Sequence, residues 1–177
     1  MTRPLIVLAI AVVLLSLIAA TSEIDRAWLG GASHERRMPE FALPGVLDPR
    51  RVLRSTQITA KVSLVNIWAT WCVPCRREHG MLMRVSRESA VPIFGLNFRD
   101  QRADARRWLE SLGDPYRASG FDAEGVVARQ LDVYGLPETL VIDADGRIAY
   151  RHVGALSEEV WRLHLQPSLA RLRQATP

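Results

Sequence analysis

The chain has 177 residues, 48% of them apolar and 24% charged, an ordinary globular mixture with room for one sizeable core. Its net charge of +4 comes almost wholly from arginine, Lys61 being the single lysine, and the arginines are scattered among 19 acids without a stripe or long run. That scatter argues against a nucleic-acid partner, and a total of two cysteines excludes a structural disulfide framework.

Arg3 precedes an uncharged, almost wholly apolar stretch from Pro4 to Ser22. As a helix rising ~1.5 Å per residue it would span roughly 27 Å, enough for a bilayer core. Residues 1–22 are therefore read as an N-terminal membrane anchor, with Arg3 inside and Glu23 and Asp25 on the far side. A cleaved signal peptide is the competing reading, but the small residues it needs at a cleavage site are poorly supplied. Either way the following domain is exported. Residues 23–38 mix charge with Gly30-Gly31 and lack periodicity, which marks a tether, and a single folded domain is expected over 39–173.

Phe41, Leu43 and Val46 alternate between prolines as an edge strand, and Arg51 to Ile58 reads as a second short strand. Val62 to Ala69 is apolar on both faces, a central strand. From Val73 to Glu88, Met81, Leu82 and Val85 recur at helical spacing opposite Arg76, Arg77, Arg84 and Arg87. Val91 to Phe98 is a buried strand, Ala103 to Leu112 a helix stopped by Gly113, Tyr116 to Ser119 a short strand and Glu124 to Leu131 a short helix. Two strands, Thr139 to Ile142 and Ile148 to Val153, flank the turn Asp143-Ala144-Asp145-Gly146. Ser157 caps a last helix that Pro167 should break or kink. The order predicts an α/β fold around one mixed sheet.

The chemistry concentrates at Cys72-Val73-Pro74-Cys75, where the central strand feeds a helix. A thiolate on the first turn faces unpaired N–H groups and the positive end of the helix dipole, so its pKa should fall. Cys72, nearest the helix start, is the expected nucleophile, and Cys75, one turn on and more buried, the resolving thiol. Pro74 suits a helix start, where its missing N–H is tolerated. A metal module using Cys72, Cys75 and His79 is the rival from another class, but three ligands supply a zinc site poorly. A second feature is Val133-Tyr134-Gly135-Leu136-Pro137-Glu138-Thr139. On its residues alone, a proline entering a strand marks an edge or turn; a cis peptide would expose the Leu136 backbone to an extended substrate.

The run Leu64-Val-Asn-Ile-Trp-Ala-Thr-Trp-Cys-Val-Pro-Cys-Arg-Arg-Glu-His79, with Asp132-Val-Tyr-Gly-Leu-Pro-Glu-Thr139 and Tyr150-Arg-His-Val-Gly154, resembles the CcmG/DsbE family. These are membrane-anchored, thioredoxin-like reductants of cytochrome c maturation. The resemblance implies a thioredoxin-like mixed sheet with flanking helices, an N-terminal strand extension and a central insert, behind one transmembrane helix. It implies a cis Leu136–Pro137 peptide and a substrate groove around Trp71, Val73, Pro74, Leu136 and Pro137. It further implies periplasmic reduction of apocytochrome c cysteines, directly or through the thiol protein CcmH, with electrons from a membrane reductase of the DsbD/CcdA type and no cofactor. A general exported thiol reductase with other clients shares the same dithiol chemistry. Family acids near the dithiol match Glu78 and Glu138. Ordinary thioredoxins carry a buried Asp six residues before the first cysteine; Asn66 stands there in this chain, and an amide cannot take a proton. That duty then falls to Glu138 or Glu78, while His79 matches the family motif without a derivable role. Leu136 is larger than the small residue expected before the proline. The Val-Pro linker lacks the histidine that would make the couple strongly oxidising, which favours a reductant.

Overall fold

The computed structural model describes residues 36–175. The expected anchor, residues 1–22, and most of the expected tether lie outside them; among the described residues no helix is long and apolar enough to cross a membrane. The last part of the predicted tether belongs to the folded unit. Arg37 bridges Arg147, the Met38 N–H donates to Gly146 O at 2.7 Å, and Ile148 N–H donates to Arg36 O at 2.8 Å.

A hairpin of β1 (Ala42–Pro44) and β2 (Val52–Arg54) forms its own two-stranded antiparallel sheet. The second strand stops short of its predicted end, because Ser55–Ile58 winds into one helical turn, α1. Gln57 explains the switch: its Oε1 accepts the Arg54 backbone N–H at 2.8 Å, half of a capping box.

The main sheet contains β3 (Ser63–Trp68), β4 (Ile93–Phe98), β5 (Ala118–Asp122), β6 (Glu138–Ile142) and β7 (Ile148–Val153) in the order β5-β4-β3-β6-β7. β4 runs parallel to β3 and β5, whereas β6 is antiparallel to β3 and β7. The helices are α2 (Val73–Glu88), α3 (Arg102–Leu112) and α4 (Val126–Gln130), followed by α5. α5 starts at Glu158–Val160 with Ser157 Oγ accepting the Val160 N–H, widens to π geometry over Trp161–Leu165, and continues as Gln166–Ala175. The predicted break at Pro167 does not occur. The wide turn before it shifts the carbonyls that the proline ring would otherwise strike, so the helix passes through. β5 begins later than predicted: Tyr116 is not a strand residue but stacks its ring on Trp68 at 5.6 Å. Asp122 ends the strand and caps α4, accepting the N–H groups of Val126 and Ala128.

Period-two alternation sorts β3 onto two cores. Leu64 and Trp68 face a cluster with α2, α3 and α5 (Leu82, Val85, Trp108, Leu165). Val65 and Ile67 face the other, with Leu53, Ile58, Val127 and Leu131. Covered on both sides, all six residues of β3 are buried. Gly95 on the neighbouring strand is required by this packing: a Cβ there would lie 2.9 Å from Trp68 Nε1 and 2.6 Å from Ser119 Oγ, the two atoms of a hydrogen bond that passes over it.

Candidate active site

The sheet registers bring the sequence motifs to one end of the molecule. β3 exits into Thr70-Trp71-Cys72, and Ile67 sits opposite Glu138, the residue after Pro137. Glu138 in turn faces Val153 on β7. The C-terminal end of β4 arrives alongside, and its Arg99-Asp100 turn clamps the strand-to-helix junction. Asp100 accepts both the backbone N–H and the hydroxyl of Thr70, each at 2.6 Å, and Trp71 Nε1 donates to Arg99 O at 2.9 Å.

Cys72 is the N-cap of α2 and Pro74 lies in its first turn, as the sequence predicts. Cys72 and Cys75 form a disulfide. The Cys75 backbone N–H points at Cys72 Sγ, 3.1 Å away, so a thiolate at Cys72 meets an oriented donor as well as the helix dipole. Cys75 is not appreciably more buried than Cys72, their exposures being 3% and 4%. Burial therefore does not distinguish the two sulfurs; position on the helix does. In a Cys75→Ser variant, the thiolate absorbance of Cys72 is expected to titrate below the ordinary thiol range, and titration at or above that range would remove the helix-start argument.

Of the expected groove residues, Trp71 and Val73 are exposed, Pro74 and Leu136 half-buried, and Pro137 buried. The Leu136–Pro137 peptide is cis, against the edge-or-turn reading and in line with the resemblance. The Leu136 side chain packs against both core clusters. Tyr134 and Val153 are strongly exposed and add apolar surface at this end.

The two candidate acids sit differently. Glu78, one turn beyond Cys75, is only 1% exposed. Its Oε1 accepts from Asn66 Nδ2 at 2.9 Å and its Oε2 from the Leu156 N–H at 2.6 Å. Burial pushes its pKa up to about 7 against those two stabilising bonds. Asn66 is the hub of a wider network: its Oδ1 accepts the Tyr116 hydroxyl at 2.8 Å, and its Nδ2 also reaches Thr139 Oγ1 at 3.1 Å. The position that holds an acid in ordinary thioredoxins thus holds the amide that orients Glu78. Gly154, with φ at +106°, turns the chain out of β7 toward the Leu156 N–H that Glu78 accepts.

Glu138 is 3% exposed, with Oε2 paired to Arg151 Nη1 at 2.8 Å. Burial raises its pKa despite the guanidinium, which pulls the other way. Trp71 is exposed, and its Nε1 donates to Arg99 O. Sequence reasoning missed Arg151 as a counter-ion and Asp100 as a clamp. Arg151 lies inside the third motif, but nothing in its spacing reveals that it reaches Glu138, Leu131 O and Asp132 O.

His79 acquires a structural role. Its Nε2 is 3.0 Å from Gly113 O and its Nδ1 accepts from Trp108 Nε1 at 3.2 Å, which fixes the neutral tautomer with hydrogen on Nε2. Burial lowers its pKa. Both ring nitrogens are committed, so His79 does not complete a metal site with the cysteines. Among the described residues no group of three or more His, Cys, Asp or Glu side chains is placed to hold a metal ion.

The comparisons with known proteins agree with this geometry. The family model described as Redoxin matches residues 34–164. A thiol:disulfide interchange protein DsbE of Allochromatium vinosum is 38% identical over 99% of this chain and 97% of its own length. The protein of the same name from Escherichia coli K12 is 40% identical over 93% of this chain and 90% of its own. A crystal structure of a putative DsbE from Chlorobium tepidum superposes with a TM-score of 0.63 at 26% identity, covering 76% of this chain and 96% of that one. The chain is thus a thiol-disulfide oxidoreductase, with its CxxC disulfide, Cys72–Cys75, at the head of α2. It belongs to the redoxin family and, within it, to the DsbE/CcmG group of thiol:disulfide interchange proteins.

Proposed function

We propose that this protein is a membrane-tethered reductase outside the cytoplasm, which reduces the cysteine disulfides of apocytochrome c, directly or through CcmH. A membrane reductase of the DsbD/CcdA type recharges it. The anchor rests on the apolar span of residues 4–22, and the client and donor rest on the family resemblance of the three motifs. The observation that carries the exchange chemistry is the placement of Glu78, a buried carboxyl on the resolving side of the dithiol that ionises near neutrality. The reducing direction rests on the resemblance and on the histidine-free Val-Pro linker.

In the forward reaction the Cys72 thiolate attacks one sulfur of the client disulfide. That S–S bond breaks, the client's other sulfur leaves as a thiolate, and a mixed disulfide joins Cys72 to the client. Cys75 then gives its proton to the Glu78 carboxylate and attacks Cys72 Sγ. The client's second sulfur is expelled and takes up a proton, leaving a client dithiol and the Cys72–Cys75 disulfide. Two electrons have passed to the client. Residues three apart on a helix are surface neighbours, which puts Glu78 next to Cys75 along α2. With a pKa of about 7 the same carboxyl both accepts and returns a proton at working pH. Glu138, tied to Arg151, is the second acid and shapes the wall beside Pro137.

Trapping tests the client. Cys75→Ser cannot resolve the mixed disulfide, so chains attached to Cys72 accumulate in cells. Apocytochrome c or CcmH among the captured chains is the expected result. Capture of unrelated exported proteins alone would instead identify a general exported thiol reductase.

A further inference from the structure

A shallow, open cleft of about 360 Å³ is lined by Thr70, Arg76, Asp104, Arg107, Trp108 and Leu112 among others. Thr70 lies two residues before Cys72, and Arg76 directly follows Cys75. The Arg76 guanidinium stacks over the Trp108 ring, 4.3 Å from its centroid. Trp108 is itself fixed, with Nε1 held by His79 and the ring against Trp68 at 6.0 Å. The stack orients the guanidinium without using its N–H donors, since cation–π contact engages the face of the group. Asp104 is the one acid in the cleft, and it is paired with Arg107. Among the described residues no carboxylate pairs with Arg76.

A pre-oriented guanidinium with free donors, set in a concave site against apolar Trp108 and half-exposed Leu112, fits a carboxylate on a short aliphatic stem. The molecules brought to this spot are polypeptides bearing a disulfide, and the carboxylates they carry are those of Asp and Glu. We propose that the Arg76–Trp108 cleft is a recognition subsite for an acidic side chain flanking the disulfide of the partner polypeptide. It selects partners by charge next to the reacting sulfur. The inference rests on the dithiol-exchange activity and not on the identity of the client.

The test uses the reduced, purified protein and three synthetic peptides of one length, each closed by one disulfide. They carry aspartates, asparagines or lysines beside the cysteines; 2-hydroxyethyl disulfide is the neutral small oxidant. The wild type is expected to react roughly fivefold faster with the aspartate peptide than with the asparagine peptide at low salt, and slower still with the lysine peptide. Arg76→Gln should lose that preference, its aspartate and asparagine peptides reacting at equal rates once each is divided by the variant's own rate with 2-hydroxyethyl disulfide. Arg77→Gln, an equal loss of charge at the next, exposed position, should keep it. No aspartate preference in the wild type would overturn the proposal. So would an equal loss in Arg77→Gln, which would mean diffuse attraction, or a matching slowdown of Arg76→Gln with the small disulfide, which would place Arg76 in the sulfur chemistry. Because no cellular client enters the measurement, its failure is separate from failure of the trapping experiment.

Discussion

Glu78→Gln is expected to flatten a pH dependence of stability that the wild type shows between about pH 4.5 and 7. The folded Glu78 carboxyl has its pKa raised by burial from 4.5 to about 7. Between these values the folded protein keeps a proton that the unfolded chain has lost, so unfolding releases a proton and rising pH favours it. Stability is therefore greatest below pH 4.5, declines through pH 7, and is level above; a shift of this size corresponds to ~3 kcal/mol. His79 acts in the opposite sense. Burial lowers its pKa, so unfolding takes up a proton and stability falls as the pH drops below the ordinary histidine value of 6.5. The two windows overlap, but His79 is common to both proteins, so subtracting the Glu78→Gln curve from the wild-type curve isolates Glu78. Urea unfolding of both oxidised proteins at a series of pH values gives the comparison. Parallel curves would show that Glu78 does not titrate in this window. The same variant should slow resolution of a preformed mixed disulfide by roughly 10²-fold at pH 7, the lower end of what a positioned proton acceptor contributes. If resolution keeps its wild-type rate, the proton leaves Cys75 by another route.

The elements read most accurately in sequence were those with a strong period. β3 shows as a doubly buried apolar run and α2 as a helical stripe after the cysteines, and both lie where the pattern places them. The two misplaced strands failed for local reasons. Gln57 competes for the backbone at Arg54, and Tyr116 spends its apolar surface on Trp68 rather than in a ladder. At the site, the cysteines, Pro137 and the two acids could be named because they lie in short contiguous motifs. What makes those acids different was not visible. Glu78 is defined by Asn66, twelve residues away, and by a backbone N–H at Leu156, 78 residues away. Neither contact has a period, a spacing rule or a residue type that announces it. Glu138 stands out in the sequence by its place beside the proline, but nothing there shows the guanidinium at 2.8 Å that opposes the effect of its burial, nor that among the described residues no such cation faces Glu78.

Arg151→Met should cost about 3–5 kcal/mol of stability at pH 8, the usual result of stripping one partner from a buried ion pair. The pair is well enclosed, with side-chain exposures of 24% for Arg151 and 4% for Glu138. Arg151 also donates to Leu131 O at 2.5 Å and to Asp132 O at 3.4 Å, so it ties the end of α4 to the strand behind Pro137. Without it, Glu138 is a buried carboxylate with no counter-charge. Its pKa, already raised by burial, rises further, and the group escapes the penalty by taking a proton. The deficit should therefore be smaller at pH 5 than at pH 8: a raised folded pKa gives stability that is present at low pH and is lost as the pH climbs through it. Adding Glu138→Leu to Arg151→Met should recover most of the loss, since an apolar pair of similar volume avoids the desolvation cost. The carbonyls of Leu131 and Asp132 also lose a donor, so recovery in the double variant is expected to fall short of complete. Chemical unfolding of the wild type, both single variants and the double variant, at pH 5 and pH 8, completes the cycle. A coupling of at least ~2 kcal/mol at pH 8 that shrinks at pH 5 is expected. Additive losses at both pH values would mean that Arg151 stabilises the fold through its carbonyl bonds alone and leaves the charge of Glu138 to the solvent.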